Sequence, residues 1–123
     1  MQITLDSNSG IYQIRAYQAG QIQVNDQWVQ HSIIVSPEQL VDPWTPQSLG
    51  ELQVGHWAPV IELGPEIVLL GIGEHLRFPA PKLLVPLYEK HIGIEVMTTP
   101  AACRTYNALA AEGRRVAAAL FVR

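Results

Sequence analysis

Three apolar runs without a polar face restrict the folds open to this chain more than any other feature: "EIVLLGIG" at 66–73, "GIEVM" at 93–97 and "VAAALFV" at 116–122. Side chains of a strand point alternately to its two faces, so a run that is apolar at successive positions has to be covered on both sides. These runs therefore predict interior strands of one sheet, at about Ile67 to Leu70, Ile94 to Met97 and Val116 to Val122, with helices over them. The segment "PVIELG" at 59–64 has the same two-faced character and is read as another strand of this kind. Two helical patterns lie between the strands. In "PKLLVPLYEKH" Pro86 must sit in the first turn or kink the helix, because it has no backbone donor. In "TTPAACRTYNALAAEGRR" Thr98 or Thr99 can cap, Pro100 suits the first turn, the alanines favour helix and Gly113 closes it. Strand, helix, strand, helix, strand predicts an α/β fold with right-handed crossovers where strands are parallel.

The first half reads differently. "GQIQVNDQWVQHSIIVSP" alternates on either side of Asn25-Asp26 and predicts a β-hairpin, with a short strand before it near Ile11 to Tyr17. In "EQLVDPWTPQSLGELQV", Thr45 can cap a helical turn that starts at Pro46 and stops by Gly50.

At 123 residues the chain fits a single domain spanning 1–123. Its 48% apolar and 15% charged residues describe a folded protein rather than a disordered one. Eight Lys and Arg against eleven Asp and Glu disfavour nucleic acid as a partner. The lone cysteine, Cys103, cannot form an intrachain disulfide, and "MQITLDSNSG" has neither the basic and apolar regions of a signal peptide nor the character of a transit peptide, so a cytoplasmic protein is expected. No apolar run reaches the ~20 residues of a membrane-spanning helix.

The glycine turn "GIG" at 71–73 suggests a phosphate loop, but both nucleotide fingerprints fail. A dinucleotide motif needs a third glycine where Leu76 stands and a helix opening within it, and no Gly-Lys-Ser/Thr follows for a Walker loop. Gly71 and Gly73 are more simply turn-formers at a strand end. A site there remains open on geometry: parallel strands at Ile67 and Ile94 would bring Gly71, Gly73, Arg77, Thr98 and Thr99 to one sheet edge, beside a helix N-terminus suited to an anion.

On the long helix Ala102, Tyr106, Leu109, Ala110 and Gly113 share one face with Cys103 beside it, while Arg104, Ala108, Glu112 and Arg115 point away. Cys103 is therefore read as packed rather than nucleophilic, and Glu112 with Arg115 as a solvated pair. Glu95 interrupts an otherwise apolar strand, so it should have a hydrogen-bond or ion-pair partner, or anchor a ligand. His31, His56, His75 and His91 have no metal-ligand spacing, and no metal or other cofactor is implied. Trp28, Trp44 and Trp57 suit core or edge packing, and a surface one would suit an interface.

"ELGPEIVLLGIGEHLRFP" and "GIEVMTTPAACRTYNALAAEGRRVAAAL" resemble a domain of unknown function shared by small bacterial and archaeal proteins and by mitochondrial NADH dehydrogenase (complex I) assembly factor 3. The resemblance is close from Trp57 to Leu120 and looser before, and the chain looks like a bacterial member. It implies a Mth938-like fold, three-layer α/β with a mixed central sheet, an N-terminal hairpin region and two principal helices. The family pattern falls on Gly71, Gly73, Glu95, Met97, Thr99, Ala102, Cys103, Tyr106, Asn107, Glu112, Gly113 and Arg114, and brings no catalytic residues. What it implies about function is a non-enzymatic protein-interaction or assembly-factor-like domain, with partners among proteins of respiratory-complex assembly. The alternative is a small-ligand or anion-binding protein, or an enzyme, with its site at the glycine turn and the Thr99 helix end. The candidate ligand or partner surface comprises Gly71, Gly73, Arg77, Glu95, Thr98, Thr99, Cys103, Arg104 and Asn107.

Overall fold

The computed structural model describes residues 10–122; the reading of the N-terminal targeting character falls on 1–9, outside the described residues. Strands β1 (Ile14–Gln18), β2 (Gln21–Val24) and β3 (Gln27–Val29) form a three-stranded antiparallel meander. The turn between β2 and β3 is at Asn25-Asp26, as expected, and Asn25 takes a φ of 51°, a left-handed conformation that Asn tolerates better than most residues.

Five strands make the central sheet, in the order β5 (Leu40–Val41), β4 (Ile33–Val35), β8 (Val116–Phe121), β6 (Ile67–Ile72), β7 (Gly93–Met97). β6 runs parallel to both β7 and β8, whereas β4 is antiparallel to β8, so the sheet is mixed. The three two-faced runs thus share one sheet. Their alternation divides the interior in two. Val116, Ala118, Leu120 and Leu69 face one core with Ile33 and Val35; Ala117, Ala119, Phe121, Val68 and Leu70 face the other with Ile34. Helix α3 (Thr99–Ala111) and the small sheet cover the first face. Helices α1 (Ala58–Leu63) and α2 (Val85–Glu89), with short 3-10 turns, cover the second, together with Trp44 stacked on Phe121 at 5.2 Å between ring centroids.

Three expectations are corrected. "PVIELG" is not a strand but helix α1: Pro59 sits in its first turn and Gly64 closes it at φ 64°. Its apolar residues do not need two covered faces, since Val60 is buried while Ile61 and Leu63 pack at the margin of the core. The turn expected from Thr45 starts instead at Ser48, with a 3-10 turn over Leu49–Glu51. β7 is an edge strand rather than an interior one. Pro86 lies in the first turn of α2, after a 3-10 turn over Pro81–Leu84, so the shorter helical pattern continues through it without a lost bond.

Candidate functional site

The carboxyl ends of β6, β7 and β8 meet the start of α3, and Thr99 ties them together. Its hydroxyl accepts from the Gly73 N–H at 2.8 Å and donates to the Phe121 carbonyl at 2.6 Å, while its own N–H donates to the Gly73 carbonyl at 2.8 Å. Thr99 is completely buried. Thr98 is the N-cap, its hydroxyl accepting from the Ala101 N–H at 3.4 Å, and the Ala102 N–H donates to the Thr98 carbonyl. With Pro100 lacking an N–H, every backbone donor from Thr99 to Ala102 has a protein partner.

The two glycines of the turn serve different needs. Gly73 has a φ of 102°, which a side chain rarely adopts. Gly71 lies inside β6, and a Cβ there would sit 2.9 Å from Leu120 Cδ2, 3.0 Å from Thr99 Cα and 3.1 Å from Ala102 Cβ. Gly71 is therefore not a turn-former. It lets α3 close onto the sheet.

Beyond Gly73 the chain leaves the sheet as "EHLRFPA", exposed from Glu74 to Phe78 and anchored again at buried Pro79. Leu76 is 52% exposed and Phe78 70%. Tyr17 on β1 donates to Glu74 Oε2 at 3.5 Å; burial and then the Glu74 carboxylate push its phenol pKa upward. A cleft of about 520 Å³ lies beside the loop, lined by Glu74, His75 and Arg77, by Ile72 and Val122, and by the Ala19-Gly20 turn. Of the residues expected to rim one pocket, only Arg77 lines this cleft, while Gly71, Gly73 and Thr99 are packed beneath the surface.

Cys103, Arg104 and Asn107 face a separate cleft of about 340 Å³ between α3 and β1. Asn107 is structural: it accepts from the Ile14 N–H at 3.0 Å and donates to the Ile14 carbonyl at 2.6 Å, and the neighbouring Tyr106 hydroxyl donates to the Tyr12 carbonyl at 2.8 Å. Cys103 is 4% exposed, as packing required; burial drives its thiol up to about 12, against a smaller lowering by Arg104. A thiol so protonated is a poor nucleophile.

Glu95 is exposed on β7 and makes no side-chain hydrogen bond or ion pair among the described residues, so the expectation of a partner is not met. The cause is the edge position: α3 packs on β6 and β8, leaving Glu95 in water. Nor do Glu112 and Arg115 pair. Arg114 Nε reaches Glu66 Oε1 at 3.0 Å and Arg115 donates to the Gly64 carbonyl, because the chain turns at Gly113 and carries both arginines toward the start of β6. Leu76 and Phe78 were missed; an apolar residue at alternate positions among Glu74, His75 and Arg77, just past a glycine turn, was the available signal.

Among the described residues no helix is long and apolar enough to cross a membrane. The family model described as "protein of unknown function (DUF498/DUF598)" matches residues 14–121. NADH dehydrogenase [ubiquinone] 1 alpha subcomplex assembly factor 3 of Bos taurus is 32% identical over 107 residues, an alignment covering 77% of this chain and 58% of the bovine protein. The solution structure of a Xanthomonas campestris protein is 43% identical, with a TM-score of 0.83 and coverage of 99% of this chain and 92% of that one. A Bordetella pertussis protein described as a Mth938-like domain is 30% identical, with a TM-score of 0.82 over 99% of this chain and 92% of its own. The mixed sheet, the layers on its two faces and these matches agree: the chain belongs to the DUF498/DUF598 family, has the Mth938-like fold and is a homologue of complex I assembly factor 3.

Proposed function

We propose that this chain is a non-enzymatic protein-interaction domain that acts as an assembly factor, docking its partners through the loop from Glu74 to Phe78. The observation that carries the reading is the exposure of Leu76 and Phe78, 52% and 70%, on a segment fixed at both ends by Gly73 and Pro79. Large apolar side chains held out in water by an anchored loop gain most when a second protein covers them. The bonded donors at the start of α3 also support a partner surface over an anion cradle, since the N–H groups of Thr99, Ala101 and Ala102 are already taken by Gly73 and Thr98. The bovine relative is named for assembly of the NADH dehydrogenase alpha subcomplex, and respiratory-complex proteins are the partners this reading nominates. A cytoplasmic location goes with it and is checked by fractionation.

The test is affinity purification from the native host with the wild type and with a Leu76→Ser/Phe78→Ser variant of unchanged melting temperature. Capture of respiratory-complex subunits or assembly proteins by the wild type alone supports the reading; equal capture by both contradicts the loop's role, and capture of nothing above background contradicts the function. A second reading rests on Arg77, one of the residues lining the adjacent cleft, and takes its guanidinium as the group that holds a small anion. A saturable rise in melting temperature with phosphate, lost in Arg77→Ala, supports that reading instead.

A further inference from the structure

The two edges of the central sheet are not alike. β5, at one end, is only Leu40–Val41, too short to template another strand. β7, at the other, runs for five residues without proline or bulge. Its pairing with β6 is parallel, with Gly93, Glu95 and Met97 opposite Ile67, Leu69 and Gly71, and the Gly93 N–H donates to the Glu66 carbonyl at 3.0 Å. In a parallel ladder alternate residues bond to a given neighbour, so Gly93, Glu95 and Met97 turn their backbone groups to β6. Ile94 and Val96 therefore direct their N–H and C=O groups outward, where no described strand lies.

We propose that this edge accepts an extended segment of another protein as an added strand, with a basic side chain of that segment set against Glu95. The outward groups of Ile94 and Val96 supply the backbone pairing. Glu95 supplies the selection: it is the only charge on β7, it stands at the strand's midpoint, it is exposed and it has no ionic partner among the described residues. The same carboxylate argues against a second copy of this chain. Antiparallel self-pairing about the midpoint would set Glu95 against Glu95 of the other copy, and like charges directly opposite are destabilising. The proposal rests on the protein-binding reading above but names a different surface, so the two can fail separately.

The experiment selects binders from a displayed library of random linear peptides and measures the selected peptide against the wild type, three β7 variants and the loop variant Leu76→Ser/Phe78→Ser. Ile94→Pro deletes one outward donor and leaves the β6 ladder intact, proline being tolerated on an edge strand at a residue whose N–H faces away from the sheet. Expected results are a Lys or Arg enriched at one position, at least tenfold weaker binding to Ile94→Pro than to an Ile94→Ala control, and a preference for Asp or Glu at that position with Glu95→Lys. Amide hydrogen exchange in the wild type gives an independent readout should the proline variant unfold: the Ile94 and Val96 amides gain protection on peptide addition, while the Glu95 amide, already bonded to β6, does not change. The proposal is overturned if no peptide is selected, if those amides stay unprotected, or if a dimer forms that Ile94→Pro dissociates. It is also overturned, with the loop reading left standing, if binding survives both β7 changes and is lost in Leu76→Ser/Phe78→Ser.

Discussion

Thr99 and Gly73 hold each other twice. The Gly73 N–H donates to the Thr99 hydroxyl and the Thr99 N–H donates to the Gly73 carbonyl, each at 2.8 Å, and the same hydroxyl donates its own hydrogen bond to the Phe121 carbonyl. One buried side chain thus joins the ends of β6 and β8 to the first turn of α3. Replacing it by valine keeps the shape but strands the Gly73 donor and the Phe121 acceptor without water, at a cost of about 2 kcal/mol or more. Thr99→Ser retains both hydrogen bonds and loses a methyl group, worth about 1 kcal/mol. Urea denaturation of the two variants should place valine below serine; the reverse order would show that packing, not hydrogen bonding, matters at this position.

The two glycines give a second comparison. Gly73→Ala forces a Cβ onto a φ of 102° and should cost about 1 kcal/mol or more. Gly71→Ala meets Leu120, Thr99 and Ala102 at 2.9–3.1 Å and should cost about 1–3 kcal/mol by overpacking. Leu120→Val removes the nearest contact, so it should be less harmful in the Gly71→Ala background than in the wild type. The Gly73→Ala loss should show no such dependence, and a double-mutant cycle measures both.

The sequence made these roles legible to different degrees. The apolar runs at 66–73, 93–97 and 116–122 carried the sheet because six consecutive buried positions, as in β8, leave a chain little choice. "PVIELG" misled because a six-residue apolar run has the same composition as a strand and as a short helix, and only Pro59 and Gly64 at its two ends tell them apart. Glu95 was placed in the interior because strand order is set by tertiary pairing that a single run does not encode. The close approach at Gly71 was hidden for the same reason: it depends on Leu120 and α3, far away in the chain. Thr98 as a cap was visible locally, whereas the three bonds of Thr99 required the ends of two strands to be known.

Cys103 and Tyr106 make the fold sensitive to alkali. Burial raises both, Cys103 from 9.0 to about 12. Below pH 9 the thiol is protonated in folded and unfolded chains alike and contributes no pH dependence. Between about 9 and 12 the unfolded chain releases the proton while the folded chain keeps it, so stability falls as pH rises. The slope from this one group approaches about 1 kcal/mol per pH unit. Denaturation of wild type and Cys103→Ala from pH 8 upward should show a shallower decline in the variant; parallel curves would mean that the thiol ionises in the folded state.

The same burial predicts the labelling kinetics of the thiol. Iodoacetamide at neutral pH should react with Cys103 only through opening of the α3–sheet contact, so the rate should rise steeply with sub-denaturing urea. Rapid labelling without urea would show that the cleft between α3 and β1 exposes the sulfur.

The central claim, that the loop after the glycine turn is a protein-docking surface, is tested most directly by a photo-crosslinking amino acid placed at Phe78 and expressed in the native host, with the same group at exposed Glu112 as control. Irradiation should give discrete adducts at position 78 that mass spectrometry identifies as respiratory-complex subunits or assembly proteins, with none of them at 112. Adducts at 78 no more abundant than at 112, or distributed over unrelated abundant proteins, would contradict the claim.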